Sequence, residues 1–285
     1  QQLYKEKNWS SLIELYSTHE EQFLSVDSNS FEIQQDKLRF YYQFAEALTA
    51  LEEEEAAVQK LERALQINPS HVDSLHLLAR TLFKFQKWDD AYQTYQRLIA
   101  LLQGSSNREL LWEVYIDLGT CALQLNKIDQ AASFFQKARL YNKDSVLAVK
   151  GLVECALVKK AYSRAAQFCS NIQEQATEAK DLLYAYSVRG YLLQYQFEKK
   201  KLAKQHYQEA LSYDANNSEL HLRLGVMFLE EENVEQARYH YDQGIVQLEE
   251  GSKMNGFYDR MEGLLHQYSE DALKQLRDDL KQRTI

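Results

Sequence analysis

The sequence predicts an all-α chain, a solenoid of helix–turn–helix hairpins closed by a C-terminal capping helix. Three observations predict it. One proline and nine glycines in 285 residues leave few turns for a strand-rich fold. The good helix formers Ala, Leu, Gln, Glu and Lys are abundant. And a small residue keeps returning: Ala57, Ala91, Ala131, Ala165, Ala203 and Ala237 stand 34, 40, 34, 38 and 34 residues apart. With 45% hydrophobic residues the chain has enough apolar surface for a sizeable core.

The first element is read at "NWSSLIELY", Asn8 to Tyr16. It has the pattern of a second helix of a hairpin, with Trp9 beside the turn, Leu12 at the alanine position and Tyr16 at the aromatic one. The chain thus reads as beginning inside a repeat, as a fragment or the tail of a longer protein would. Residues 25–31, "SVDSNSF", read as a polar linker, so residues 1–31 are a partial repeat and linker.

Six hairpins follow over residues 32–250. Seven residues after each alanine comes Ala64, Leu98, Ala138, Ile172, Ala210 or Gly244, and four after it Leu61, Tyr95, Phe135, Cys169, Tyr207 or Tyr241. Residues seven apart share a helix face, so two small ones let a neighbouring helix come close and the aromatic fills the gap beside them. Twelve residues before each alanine stands Ala45, Ala79, Gly119, Val153 or Gly225, which lets the hairpin partner approach. The fifth segment needs thirteen to reach Gly190, which predicts one extra residue in its turn. A hairpin of this kind has an apolar side that it buries only by stacking on its neighbours.

These registers resemble the tetratricopeptide repeat, whose pattern is 34 residues long. The third segment, "WEVYIDLGTCALQLNKIDQAASFFQKARLYNKD", carries Leu118-Gly119, Ala131, Phe135 and Ala138. The first, "FAEALTALEEEEAAVQKLERALQINP", ends in Pro69, where a helix stops before the next hairpin. The resemblance covers roughly residues 38–250 and divides them at about 38–71, 72–105, 112–145, 146–179, 183–217 and 218–251. The fourth segment, with Val153, Cys169 and Ile172, departs most from the pattern and is expected to be distorted.

The excess over 34 residues is expected in two longer loops between repeats, at "LLQGSSNREL" and near "QEQATEAKD". Gly104 is placed to end one helix and Ser105-Ser106-Asn107 to cap the next. The acidic run Glu52 to Glu55 reads as a helix start, where negative charge is favourable. Residues 252–285 read as capping helices: Leu273, Leu276 and Leu280 lie on one stripe of an otherwise charged segment.

Charge and composition exclude several functions. A net charge of −9 opposes binding to nucleic acid and to anionic membranes. The densest basic run, Lys199-Lys200-Lys201 with Lys204, reads as a solvated helix start. No apolar run is long enough for membrane insertion. Cys121, Cys155 and Cys169 are odd in number and widely spaced, as free thiols in a reducing, cytoplasmic setting are. The chain starts without methionine, so secretion after upstream processing stays open, and the sequons at Asn8 and Asn216 matter only then.

No phosphate loop, metal-ligand spacing or nucleophile motif is present, so no catalytic residue, metal or cofactor is assigned and the chain is read as not an enzyme. Cys169 falls at an aromatic packing position and reads as a buried small hydrophobe. The "HYD" at His240 to Asp242 reads as a surface feature of a second helix.

The resemblance implies a right-handed superhelix whose first helices line the concave side at five positions per repeat. It also implies a test for the family's clamp for chaperone carboxylates. That clamp is absent: Tyr42 and Glu46 stand in the first repeat, and Glu113 and Asp117 in the third, where Lys, Asn and Arg are required. From the third repeat onward the inward positions become apolar and aromatic. The expected partner groove is Ile116, Leu123, Leu147, Lys150, Glu154, Leu157, Val158, Tyr184, Tyr191, Tyr195, Leu222 and Val226. Its ligand would be a protein or peptide, held as a helix or extended segment by apolar anchors. The function expected is a non-catalytic protein-interaction scaffold; the alternative is a regulatory domain of a longer signalling or enzyme protein. No residue pattern fixes an oligomeric state.

Overall fold

The structure, a computed structural model, describes residues 4, 6–24, 30–104 and 106–283. Among them are fifteen helices and no strand. Residues 25–29 of the expected linker, and Ser105, lie outside the described residues. The chain divides into two compact units, residues 1–151 and 152–285.

The first unit opens with α1 (Trp9–Leu24), then α2 (Phe31–Ala50) and α3 (Glu54–Ile67), α4 (Val72–Lys84) and α5 (Trp88–Leu101), and α6 (Arg108–Gln124) and α7 (Ile128–Tyr141). Each pair is a helix–turn–helix hairpin, and α1 packs on α2 ahead of the first of them. Leu12 is buried, and the Tyr16 ring packs on Phe40 and Phe44 at centroid distances of 4.7 and 5.5 Å. The helix α8 (Val146–Val158) contains the boundary between the units. The second unit continues with α9 (Tyr162–Gln175), α10 (Ala179–Tyr195), α11 (Lys200–Tyr213), α12 (Ser218–Glu230), α13 (Val234–Ile245), α14 (Asn255–His266) and α15 (Glu270–Lys281).

The turns are built alike. Glu52, Gln86, Asn126, Lys160, Glu198 and Glu232 all have left-handed backbones, with φ between +55° and +64°. After α4 the Lys87 N–H donates to the Leu82 carbonyl (2.9 Å) and the Gln86 N–H to the Phe83 carbonyl (3.0 Å). These two bonds satisfy carbonyls that the helix end leaves unpaired. Five turns take three residues; the fifth takes residues 196–199, and Lys199 N–H reaches back to the Leu193 carbonyl. The extra residue predicted there is present. The fourth hairpin keeps the common turn at Lys160, and Val153, Cys169 and Ile172 are fully buried, so the expected distortion is absent from its turn and its core.

The small-residue registers do the packing expected of them. The Phe135 ring lies against two glycines: a Cβ on Gly119 would sit 2.7 Å from it, and one on Gly151 2.4 Å. Only a residue without a Cβ admits the ring at both places. Tyr258 of α14 approaches Gly244 in the same way, and its hydroxyl donates to the Ser218 carbonyl at 2.6 Å.

The two length excesses resolve differently from expectation. After α5 the link 102–107 carries part of the excess, with Gly104 at φ +83° and the Asn107 side chain capping α6 by accepting from the Leu110 N–H. The rest lengthens α6 to 17 residues. The second expected loop does not exist: residues 176–178 are the whole link, and the excess becomes the 17-residue α10. Ala179, Lys180 and Asp181 contain no helix breaker, so the chain continues as helix. The acidic run lies at a helix start as expected, with Glu54 and Glu55 in the first turn of α3.

Candidate functional site

In the first unit the first helices of the hairpins are α2, α4 and α6. A hollow of about 570 Å³ is lined by Trp9, Glu46, Thr49, Arg80, Phe83, Lys84, Glu113 and Asp117, among others. Its polar groups are held from below. The Tyr95 hydroxyl donates to Asp117 Oδ2 at 2.6 Å. Burial lifts the Asp117 carboxyl to about 6, against the opposing pull of that hydrogen bond. Tyr4 hydrogen-bonds Glu46, and the Thr49 and Thr81 hydroxyls lie 3.1 Å apart. His76 stands 3.9 Å from Glu113, with its imidazole held below its usual range by burial. This hollow precedes the apolar stretch that the sequence pointed to. The signal for it was the inward register itself, which names Glu46, Thr49, Arg80, Phe83, Lys84 and Glu113. Of the expected groove residues in this unit, Ile116, Leu123 and Lys150 are half-buried and Leu147 is exposed.

In the second unit the expected residues fall into two groups. Glu154, Leu157, Tyr184 and Tyr195 are half-buried and Val158 is exposed. The Tyr184 hydroxyl donates to Glu154 Oε1, and burial with that carboxylate beside it raises the phenol far above its usual range. Tyr191, Leu222 and Val226 are buried, at 7%, 0% and 1% exposure. What covers them is α15. Its Leu273, Leu276 and Leu280 share one apolar cluster with Leu222, Val226 and Leu229.

Polar contacts fix α15 at the same inward positions. The Tyr191 hydroxyl donates to the Lys281 carbonyl at 2.9 Å. Arg223, fully buried, donates from Nη2 to the Arg283 carbonyl (2.7 Å) and to Glu219 (2.8 Å). Its guanidinium lies 5.6 and 5.9 Å from the Tyr191 and Tyr195 rings. Arg283 pairs with Glu219 at 3.0 Å, and Arg277 with Glu230 at 3.5 Å. The basic run at the start of α11 is also paired: Lys200 meets Glu230 at 2.6 Å and Lys204 meets Glu231.

His240 is not on the surface. It is 6% exposed, its Nδ1 lies 2.9 Å from Nδ1 of His221, and its ring stacks on Phe228 at 5.4 Å. The histidine sits on the α12 side of α13, and burial with the neighbouring His221 lowers it to about 4. The three cysteines are buried, and no disulfide joins them. Among the described residues no group of three or more His, Cys, Asp or Glu side chains is arranged to hold a metal, and no helix is long and apolar enough to cross a membrane.

The Tetratricopeptide repeat family pattern matches residues 38–71, 71–139, 116–179 and 192–251. The chain belongs to the tetratricopeptide-repeat family. No curated protein matches it. Among solved structures it is similar to the C-terminal part of a tetratricopeptide-repeat protein from Cytophaga hutchinsonii, with a TM-score of 0.66 and 16% identity over 88% of this chain and 94% of that one. A tetratricopeptide-repeat protein from Parabacteroides merdae gives a TM-score of 0.52 and 15% identity over 90% and 98%. A chain of the APC/C hetero-tetramer Cut9–Hcn1 gives 0.55 and 15% over 94% of this chain, which spans 48% of its length. At these identities the likeness is one of fold. Tetratricopeptide-repeat proteins are typically non-catalytic, and membership makes this chain a protein-interaction scaffold of the all-α solenoid class.

Proposed function

We propose that the chain holds a helix or extended segment of a partner protein against its groove faces by apolar anchors, without turnover. One observation carries this reading: inward positions of the fifth and sixth repeats already meet an amphipathic helix, the chain's own α15, through the Tyr191 hydroxyl of the fifth and Leu222 and Val226 of the sixth. A face that takes one such helix has the chemistry to take others. In the second unit the anchors left for a partner are Leu157, Val158, Tyr184 and Tyr195. In the first unit they are Ile116, Leu123 and Leu147, beside the hollow around Arg80. Tyrosine suits such a face, with large contact area and a polar tip. Three buried cysteines without a disulfide support a reducing setting, and we take the cytoplasm as the compartment. The net charge of −9 disfavours nucleic acid as the ligand.

The test compares the wild-type chain, as bait in source-cell lysate, with a Leu157→Glu, Val158→Glu variant whose helicity is checked by circular dichroism. A partner lost only from the variant supports groove binding. The same partners on both place the interface elsewhere and end the proposal.

A further inference from the structure

The contacts around α15 have a chemical pattern of their own. Two of the groups that hold it, the Tyr191 hydroxyl and the Arg223 guanidinium, donate to backbone carbonyls, those of Lys281 and Arg283. The last carbonyls of a helix have no partner within the helix, and they form the negative end of its dipole. The Lys281 carbonyl is one of these, while Arg283 stands two residues beyond the end of α15; Tyr191 and Arg223 thus both meet backbone where α15 ends, whatever its side chains. Arg223 is fully buried, and its Nε and Nη1 have no well-formed hydrogen bond among the described residues. The Tyr195 hydroxyl is in the same state.

Side chains recognise α15 through an apolar stripe and ion pairs: Arg277 with Glu230, Asp279 with Arg260, and Arg283, just beyond its end, with Glu219. Three leucines spaced by three and four residues are buried, while Lys274, Gln275, Asp278 and Lys281 are exposed. Residues 267–269 alone join α15 to α14, and all three are exposed.

We propose that Tyr191, Arg223 and the Leu222–Val226 floor form a reader of helix C-terminal ends. In the free chain α15 fills it. The partner is an amphipathic helix with the same leucine spacing, which docks its carbonyl end on Tyr191 and Arg223 and displaces α15. The inference rests on groove binding as proposed above and supplies its ligand class. A resident helix lowers the apparent affinity for a competitor by the fraction of time it is seated.

The probe is a fluorescein-labelled peptide of residues 267–283, read by fluorescence anisotropy against the full chain. Leu276→Glu unseats the resident helix, and the peptide is expected to bind this variant at least about tenfold more tightly than the wild type. Adding Tyr191→Phe to Leu276→Glu is expected to weaken that binding about fivefold, the worth of one hydrogen bond. A peptide with its three leucines replaced by serine should not bind. Equal binding to wild type and variant, or no binding to a variant that remains helical, overturns the proposal. Should Leu276→Glu fail to fold, hydrogen exchange on the wild type decides. Amides of α15 must exchange at least about tenfold faster than those of α12; exchange in step with α12 makes α15 a permanent part of the core and ends the proposal. The two readings separate cleanly. Failure here with partner loss in the Leu157→Glu, Val158→Glu variant leaves groove binding standing and removes only the reader. Peptide gain with unchanged capture overturns groove binding at α8 and keeps α12 as the docking surface.

Discussion

The hydroxyl of Tyr191 donates a 2.9 Å hydrogen bond to the carbonyl of Lys281, ninety residues further along the chain. Through this bond a side chain on the inward register of the fifth repeat is occupied by the last helix. Tyr191→Phe removes it and leaves the ring packing against Tyr195 in place. The expected loss is about 1 kcal/mol of unfolding free energy, read in a urea titration. Unchanged stability and unchanged exchange of α15 would show that the bond contributes nothing.

Two glycines should respond to alanine with opposite signs. At Gly119 a Cβ meets the Phe135 ring at 2.7 Å, and the same ring lies against Gly151, where a Cβ would stand 2.4 Å from it. Gly119→Ala is expected to destabilise by about 1–3 kcal/mol despite the better helix propensity. Gly263, inside α14, has no atom within 4 Å of its Cβ position. Gly263→Ala should stabilise by about 0.5–1 kcal/mol, measured in the same titration.

Acid should weaken the fold in a defined window. Burial, with His221 beside His240 and Arg189 beside His206, lowers both imidazoles from 6.5 to about 4. The unfolded chain takes up protons below about 6.5 that these folded groups refuse. Their contribution is therefore full above 6.5 and declines as pH falls from there through about 4. Asp117 works the other way. Its carboxyl is raised to about 6 by burial, so protonation between about 6 and its ordinary 3.8 favours the folded state. His240→Gln should flatten the acid loss and Asp117→Asn should steepen it. Urea midpoints from pH 7.5 to 4.5 are the measurement.

The thiols should be silent. Burial pushes Cys121 and Cys169 up to about 12, and Cys155 is equally covered. A chromogenic disulfide reagent should find no reactive thiol in the folded chain within minutes and three in denaturant. Rapid labelling of Cys169 without denaturant would contradict the packing at the fourth hairpin.

The hairpins were legible because their signals are local. Ala131, Phe135 and Ala138 fix one helix face by spacing alone, and Gly119 lies a set distance before them. The start of α10 is harder to read, because "TEAKD" fits polar linker and helix alike, and Ala179 to Asp181 open the 17-residue helix. The neighbour Asp242 makes His240 look like a surface residue, while its environment is set by Phe228 and His221 on another helix. The inward register names Leu222 and Val226 together, and both are buried. Their cover was not readable: three leucines on a stripe say that α15 buries a face, and nothing in their spacing says against what. Only the fold brings residues fifty positions apart together.

The left-handed residues at the hairpin turns carry a consequence for how the chain folds. None of the six is glycine, and a side chain in that conformation costs about 1–2 kcal/mol. The cost recurs with every hairpin, so a single hairpin starts unfavourably and recovers only through the face it shares with the next one. Stability then resides between neighbours, and each unit should melt cooperatively, without a stable solitary repeat along the way.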